Sequence, residues 1–99
     1  MKPQSSGFFF DGEIMDIASL REEIDQVDEK ILTLLEQRAR LAAEIGKKKL
    51  ENNLSVVSTE RESEIIQRLV RKNNSRLTGQ DIESIFKEII KSCRNVQIE

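Results

Sequence analysis

The sequence predicts an all-α fold in which one long N-terminal helix precedes two shorter helices. First, apolar residues recur at alternating steps of three and four from Asp16 to Asn52, which is the spacing of one helix face. Second, this stretch contains no Pro and a single Gly, so little within it disfavours a helix. Third, no segment shows the alternation of apolar and polar residues that is typical of a strand.

Arg38 interrupts the apolar face of the predicted first helix. It occupies the slot between Leu34 and Leu41 that the spacing reserves for an apolar residue. Burial of a guanidinium without a counter-charge is costly. Arg38 therefore either points away from the apolar face or binds an anion. The face itself consists of Ile17, Leu20, Ile24, Val27, Ile31, Leu34, Leu41 and Ile45.

The predicted length of the first helix points to a second copy of the chain. A helix from Asp16 to Asn52 extends roughly 55 Å at ~1.5 Å per residue. A compact domain of ~100 residues has a radius of gyration of only about 13 Å. Because the apolar face continues along the whole helix, we expect a partner chain to cover the part that extends beyond such a domain.

Two shorter helices are predicted after a polar break that begins at Asn52. The second runs from Thr59 to Lys72, because Thr59 and the Glu three positions later have the spacing of a capping box. The third begins at Thr78, and Gln97 lies one turn beyond the end of its apolar face. The two apolar faces consist of Ile65, Ile66, Leu69 and Val70, and of Ile82, Ile85, Phe86, Ile89, Ile90 and Cys93.

The first 15 residues differ in composition from the rest. We interpret residues 1–15 as a flexible N-terminal extension that precedes a helical domain of residues 16–99. The alternative is a segment that docks on a partner or on the helical core through the cluster from Phe8 to Phe10.

The composition excludes several functional classes. A net charge of −2 gives no basis for nucleic-acid binding. The chain has no His, which excludes imidazole catalysis at neutral pH and most zinc sites. The single Cys, Cys93, suits a reducing compartment, and we expect a cytoplasmic protein. No apolar run approaches the ~20 residues of a membrane span.

Several polar residues lie in line with the apolar faces and are candidates for an anion site. Lys49 follows Arg38 by about three helical turns, so both can face one cavity. Arg61 lies at the start of the second helix, as does the next residue, Glu62, and Gln97 ends the third. Arg21 lies about 25 Å from Arg38 along the same helix, but an antiparallel partner chain can bring its own Arg21 close.

A non-catalytic interpretation competes with this site. Arg and Lys side chains on helices are usually solvated or held in exposed ion pairs. An apolar face with charged flanks is typical of an interaction coiled coil. Spacing alone therefore favours a helical dimerisation module.

The order of residues along the chain favours a catalytic interpretation instead, because several blocks resemble one enzyme family. The blocks from Leu20 to Leu32, from Leu34 to Lys49 and from Glu60 to Glu62 resemble the all-helical chorismate mutase family, and the likeness extends from Ile17 to Gln97. It implies an intertwined helical homodimer that converts chorismate to prephenate in aromatic amino-acid (Phe/Tyr) biosynthesis, the shikimate pathway. It implies no cofactor, metal or covalent intermediate.

The resemblance also implies a role for each candidate residue. Arg38 and, from the partner chain, Arg21 would bind the substrate carboxylates, and Arg61 would support them. Lys49 would bind a carboxylate and donate to the ether oxygen, and Gln97 would donate to the same oxygen from its other side.

The remaining implied contacts involve the ring hydroxyl and a carboxylate. Glu62 would accept a hydrogen bond from the hydroxyl. Ser58 stands where the family often has Asp, and it can still bond the hydroxyl with less charge. Cys93 stands where the family often has Ser near a carboxylate, and its thiol is a weak donor.

Three alternatives stay open from the sequence. One is an isochorismate-pyruvate lyase of the same fold, although the set of Arg38, Lys49, Glu62 and Gln97 favours the mutase. The second is a non-catalytic helical dimerisation or regulatory module. The third concerns organisation, because members of the family occur both free-standing and fused to other enzymes.

Overall fold

The computed structural model describes the backbone of residues 12–98 and the side chains of residues 16–97. Helices join through short turns, and no strand forms within the described backbone. None of the described helices is long and apolar enough to cross a lipid bilayer. The elements in chain order are α1, Gly12–Glu51, α2, Thr59–Lys72, and α3, Gly79–Ile98.

The all-α prediction is confirmed, and the second helix has its predicted bounds. The start of the first helix differs from the prediction, because α1 begins at Gly12 rather than at Asp16. The last residues of the predicted flexible extension are therefore helical. Residues 1–11, which hold its aromatic cluster, lie outside the described part of the chain.

The chain divides into two units, one that ends at Leu34 and one that begins at Leu35. The described part of the first unit consists of α1 alone, and its apolar face is solvent-exposed. Ile17, Leu20 and Ile24 are 49%, 57% and 57% exposed. Within the described part of this unit, the apolar face of α1 has no partner.

The second unit contains the end of α1 together with α2 and α3, and α2 packs against α3. Its buried apolar side chains among the described residues are Ala42, Ile90 and Cys93. Their small number is typical of a domain that has too little chain for a large core.

α1 ends in a tight turn that brings the chain back toward the helix. Asn53 has a φ of 57°, in the left-handed region that Asn tolerates better than most residues. The backbone N–H of Leu54 donates to the carbonyl oxygen of Lys49 at 2.7 Å, which satisfies one of the last carbonyls of the helix. The turn brings Val56 within reach of the Lys49 side chain.

The start of α2 differs in detail from the predicted capping box. The N-cap is Ser58, with extended φ and ψ of −131° and 96°, and its Oγ accepts from the backbone N–H of Arg61 at 3.2 Å. The prediction that Thr59 caps this helix is wrong, because Thr59 is already the first helical residue. Ser58 therefore acts as the cap.

The start of α3 is a reciprocal capping box. The backbone N–H of Thr78 donates to the Asp81 carboxylate at 3.0 Å, and the backbone N–H of Asp81 donates to Thr78 Oγ1 at 3.0 Å. These hydrogen bonds, the one from the Thr78 backbone foremost, lower the pKa of Asp81 below its ordinary value. The predicted opening of the third helix at Thr78 is confirmed.

Candidate active site

A cavity of about 250 Å³ lies within the second unit, between α1, α2 and α3. Every site residue that the sequence predicts in this unit lines it. Arg21 belongs to the first unit, where its side chain is exposed, and its role across a dimer stays a prediction. The lining is Arg38, Leu41, Ala42, Ile45, Lys49, Val56, Ser58, Arg61, Glu62, Ile65, Ile90, Cys93, Arg94 and Gln97.

α1 supplies Arg38 and Lys49, which the spacing of the helix places on one side of the cavity. Both side chains are half-buried. Lys49 Nζ donates to the carbonyl oxygen of Val56 at 2.7 Å, which fixes the direction of the side chain. An ammonium group has three donors, so two of them remain for a ligand.

α2 supplies Ser58, Arg61 and Glu62. Because Ser58 Oγ accepts from the backbone of Arg61, its hydroxyl hydrogen stays available to donate elsewhere. The Arg61 guanidinium forms an exposed ion pair with Glu64 at 2.8 Å. Exposed pairs of this kind contribute ~0–1 kcal/mol, so a bound anion can compete for Arg61.

α3 supplies Cys93 and, one turn later, Gln97. Cys93 is buried. Gln97 Oε1 is also buried, and it has no hydrogen-bond partner among the described atoms. Buried polar atoms are nearly always paired in folded proteins, so an unpaired oxygen in a cavity indicates a place for a ligand.

Arg94 lines the cavity and was not predicted from the sequence. Its guanidinium donates two hydrogen bonds to the Glu62 carboxylate, at 2.8 and 3.0 Å, and both side chains are less than one-third exposed. The hydrogen bond and the charge of Glu62 raise the pKa of Arg94 above its ordinary value. The one sequence signal for Arg94 is its position three residues before Gln97, on a neighbouring part of the same helix face.

The charges around the cavity suit a small molecule with more than one negative group. The cationic side chains outnumber the carboxylate, and apolar side chains form much of the rest of the lining. Partial burial strengthens charge interactions relative to those in bulk water. Among the described side chains, no cluster of His, Cys, Asp or Glu could hold a metal ion. The charged members are Arg38, Lys49, Arg61 and Arg94 against Glu62.

A larger cavity of about 850 Å³ lies between α2 and α3, and Glu62 and Arg94 line it as well. Its further charged residues have both signs, so four cationic side chains face three carboxylates there, against four and one in the smaller cavity. The further charged residues are Arg71, Glu83, Lys87, Glu88 and Lys91. The smaller cavity is therefore the candidate site for an anionic ligand.

The helices and the smaller cavity are those of an all-helical protein with a cationic pocket for a small anion. A sequence model of the family described as chorismate mutase type II matches residues 20–98, so the chain belongs to that family. The family resemblance found in the sequence is confirmed.

Solved structures agree with the family assignment. The Form I structure of chorismate mutase from Thermus thermophilus has a TM-score of 0.78 and 37% sequence identity, over 79% of this chain and 98% of that one. The Form II structure of chorismate mutase from the same organism has a TM-score of 0.84 and 34% identity, over 85% and 96% of the two chains.

Curated relatives include longer, bifunctional proteins. The bifunctional chorismate mutase/prephenate dehydratase of Aquifex aeolicus is 38% identical over 86 residues, which are 83% of this chain and 24% of that protein. The protein of the same description from Escherichia coli (strain K12) is 37% identical over 75 residues, which are 75% of this chain and 19% of that one. This chain therefore spans a quarter or less of the length of these relatives.

Proposed function

We propose that this chain catalyses the rearrangement of chorismate to prephenate. The observation that carries the proposal is the buried Gln97 Oε1, which has no hydrogen-bond partner among the described atoms and belongs to a side chain that lines the same cavity as Lys49. A half-turn of the Gln97 amide exchanges its oxygen and its NH₂ group, after which Gln97, like Lys49, can donate a hydrogen bond to an oxygen atom of a bound molecule. Membership of the chorismate mutase type II family supports this assignment of substrate.

The proposed reaction needs binding and charge stabilisation rather than a reactive side chain. Within one substrate molecule, a C–O bond breaks as a C–C bond forms, and no proton or group passes to the protein. The cavity would hold the substrate in a compact, chair-like conformer in which the two carbon atoms approach each other. Negative charge that develops on the ether oxygen would be stabilised by Lys49 and Gln97.

The cationic side chains would bind the two substrate carboxylates. Arg38 would pair with one carboxylate, together with Arg21 of a second copy of the chain. Lys49 would contact the other carboxylate as well as the ether oxygen, and Arg61 would add positive charge at the rim. Arg suits this role because its planar guanidinium can donate two parallel hydrogen bonds to a carboxylate.

The ring hydroxyl would bind at the side of the cavity that α2 lines. Glu62 would accept a hydrogen bond from the hydroxyl. The two hydrogen bonds from Arg94 hold the Glu62 carboxylate in place and still leave it lone pairs for a further donor. Ser58 would donate to the same hydroxyl, because its own hydrogen is free.

The proposed active form is an intertwined homodimer in which each site takes Arg21 from the other chain. The exposed apolar face of the first unit supports this arrangement, because it offers a long surface for a second copy. Sedimentation at micromolar concentration should give twice the 11.4 kDa mass of one chain. A mass of one chain would contradict the shared site.

Mixing two inactive variants tests whether Arg21 acts across the dimer. Chains with Arg21→Ala and chains with Arg38→Ala are each expected to be inactive. After unfolding and refolding together in equal amounts, half of the random dimers are mixed, and each mixed dimer has one intact site of two. The mixture should recover about a quarter of wild-type activity. A mixture that stays inactive would show that Arg21 does not complete the partner's site.

The proposed function is tested by comparing two arginines of α1. Arg38→Ala should lower kcat/KM for chorismate by at least ~100-fold, because it removes a preorganised charge from the site. Arg40→Ala is the matched control, since Arg40 is exposed, pairs with Glu36 and does not line the cavity. Near-normal turnover by Arg38→Ala would refute the site.

Supplying each substrate separately distinguishes the mutase from the lyase. Pyruvate release from isochorismate, with no prephenate from chorismate, would favour an isochorismate-pyruvate lyase.

A further inference from the structure

Gly46 is the one glycine of the long predicted helix, and nothing in the proposed chemistry accounts for it. A glycine in a helix interior destabilises the helix by ~1 kcal/mol relative to alanine. Gly46 is buried and has an ordinary helical φ, so the backbone conformation does not require glycine there. The need for glycine at this position must come from the atoms that pack against it.

The residue against Gly46 is Gln97. A Cβ atom added at position 46 would lie 3.0 Å from the Gln97 carbonyl oxygen, 3.1 Å from its Cα and 3.1 Å from its Cβ. Two of these are backbone atoms, which cannot turn away as the end of a flexible side chain can. Any larger residue at position 46 therefore has to displace the last turn of α3.

We propose that Gly46 is a positioning residue, which allows the last turn of α3 to approach α1 closely enough to hold the Gln97 amide at the reacting oxygen of the substrate. This inference rests on the proposed function. Gln97 lies in the last turn of α3, next to Ile98, where the helix ends. Helix ends fray unless something holds them, and the contact with Gly46 holds this end.

The close contact explains why the side-chain oxygen of Gln97 is buried. With the α3 backbone pressed against α1, Gln97 Oε1 is buried without a partner among the described atoms. A half-turn of the amide exchanges its oxygen and its NH₂ group, so the same position can present a donor. A Cβ atom at position 46 requires the neighbouring atoms to shift by a few tenths of an ångström. Since a displacement of about 1 Å at such a group can lower a rate by ~100-fold, this smaller shift should lower it several-fold.

A double-mutant cycle tests whether Gly46 acts through Gln97. Gly46→Ala should lower kcat by roughly 3- to 10-fold, with KM changed by less than about threefold. Gln97→Met should lower kcat by ~100- to 1,000-fold. In the double variant, kcat should equal that of Gln97→Met within about twofold, because no amide remains to be displaced.

Two outcomes of the cycle would overturn the inference. One is a Gly46→Ala enzyme with wild-type kcat, and the other is a double variant in which the two losses multiply. A wild-type kcat in Gln97→Met would overturn it as well, since Gly46 would then have nothing to position. A wild-type protein without activity on chorismate would instead refute the proposed function, so the two failures are distinguishable.

Gly79→Ala is the matched control, because a Cβ at position 79 would lie at an ordinary 3.4 Å from Val70 Cγ1. It should keep wild-type kcat.

Should Gly46→Ala fail to fold, as judged by circular dichroism, Gln97→Asn provides a second test. The held backbone keeps the shorter Asn amide away from the oxygen, so kcat should fall as in Gln97→Met. Wild-type kcat in Gln97→Asn would overturn the inference.

Discussion

Replacement of Gln97 by Met should separate activity from stability. Gln97 Oε1 is a buried polar atom without a hydrogen-bond partner among the described residues. Such an atom costs about 1–3 kcal/mol of folding free energy. Met has a similar length and no polar group to desolvate, so Gln97→Met should leave the free energy of unfolding unchanged or raise it by about 1 kcal/mol. For a domain of this size, that gain corresponds to roughly 4–8 °C in Tm.

The same substitution removes a donor that the proposed transition state requires. Loss of one such donor typically lowers kcat by ~100- to 1,000-fold. Gln97→Met should therefore be as stable as the wild type, or more stable, and nearly inactive. Thermal unfolding followed by circular dichroism gives the Tm, and the initial rate of chorismate loss gives kcat.

A matched control distinguishes this result from a general effect of Met on α3. Gln80 lies near the start of the same helix and is exposed, so Gln80→Met should change neither Tm nor kcat appreciably. The reasoning would be refuted if Gln97→Met lowered Tm by several degrees, because its amide would then be satisfied in the folded protein. It would also be refuted if kcat stayed within about fivefold of the wild type.

Two further predictions concern Arg94 and Asp81. Arg94→Met should raise KM for chorismate roughly tenfold, the scale of one lost charge-assisted hydrogen bond, because Glu62 loses its bidentate partner; an unchanged KM would contradict this role. The pKa of Asp81 is lowered in the folded protein. The carboxylate therefore contributes its full stabilisation above the pKa of Asp in the unfolded chain, about 3.9, and this stabilisation is lost as pH falls through the lower pKa of the folded protein. The Tm difference between wild type and Asp81→Ala should therefore narrow from pH 7 to pH 3, and a constant difference would contradict the capping role.

The helices were predictable because their signals are local. The steps of three and four along α1 and the Thr and Asp at the start of α3 depend on residues within one or two turns of each other. The cap of α2 shows the limit of such signals. Ser58 and Thr59 are adjacent and both can cap, so only the backbone conformation decides between them.

The candidate site was predictable where a polar residue interrupts or extends an apolar face. Arg38, Lys49 and Gln97 are predicted in this way, and all of them line the cavity. Arg94 was missed because its partner, Glu62, lies 32 residues earlier, on another helix. A contact of that kind depends on how α2 and α3 pack, and no spacing within either helix reveals it.

The tight contact between Gly46 and Gln97 is also a product of packing. The sequence shows an isolated glycine within a helix, which usually has a packing or functional reason, but it does not show which residue packs against it.

Arg21 differs from Gly46, because its role is predicted from the sequence and is not tested by the packing. Its proposed role follows from the sequence and from the proposed dimer, and it awaits the mixing experiment.

The most direct test of the central claim is the conversion of chorismate by the purified chain, followed by product analysis. We predict saturable conversion in which each chorismate consumed yields one prephenate, with no pyruvate and no loss of rate in the presence of a metal chelator. Folded protein that leaves chorismate to react at the uncatalysed rate would contradict the claim.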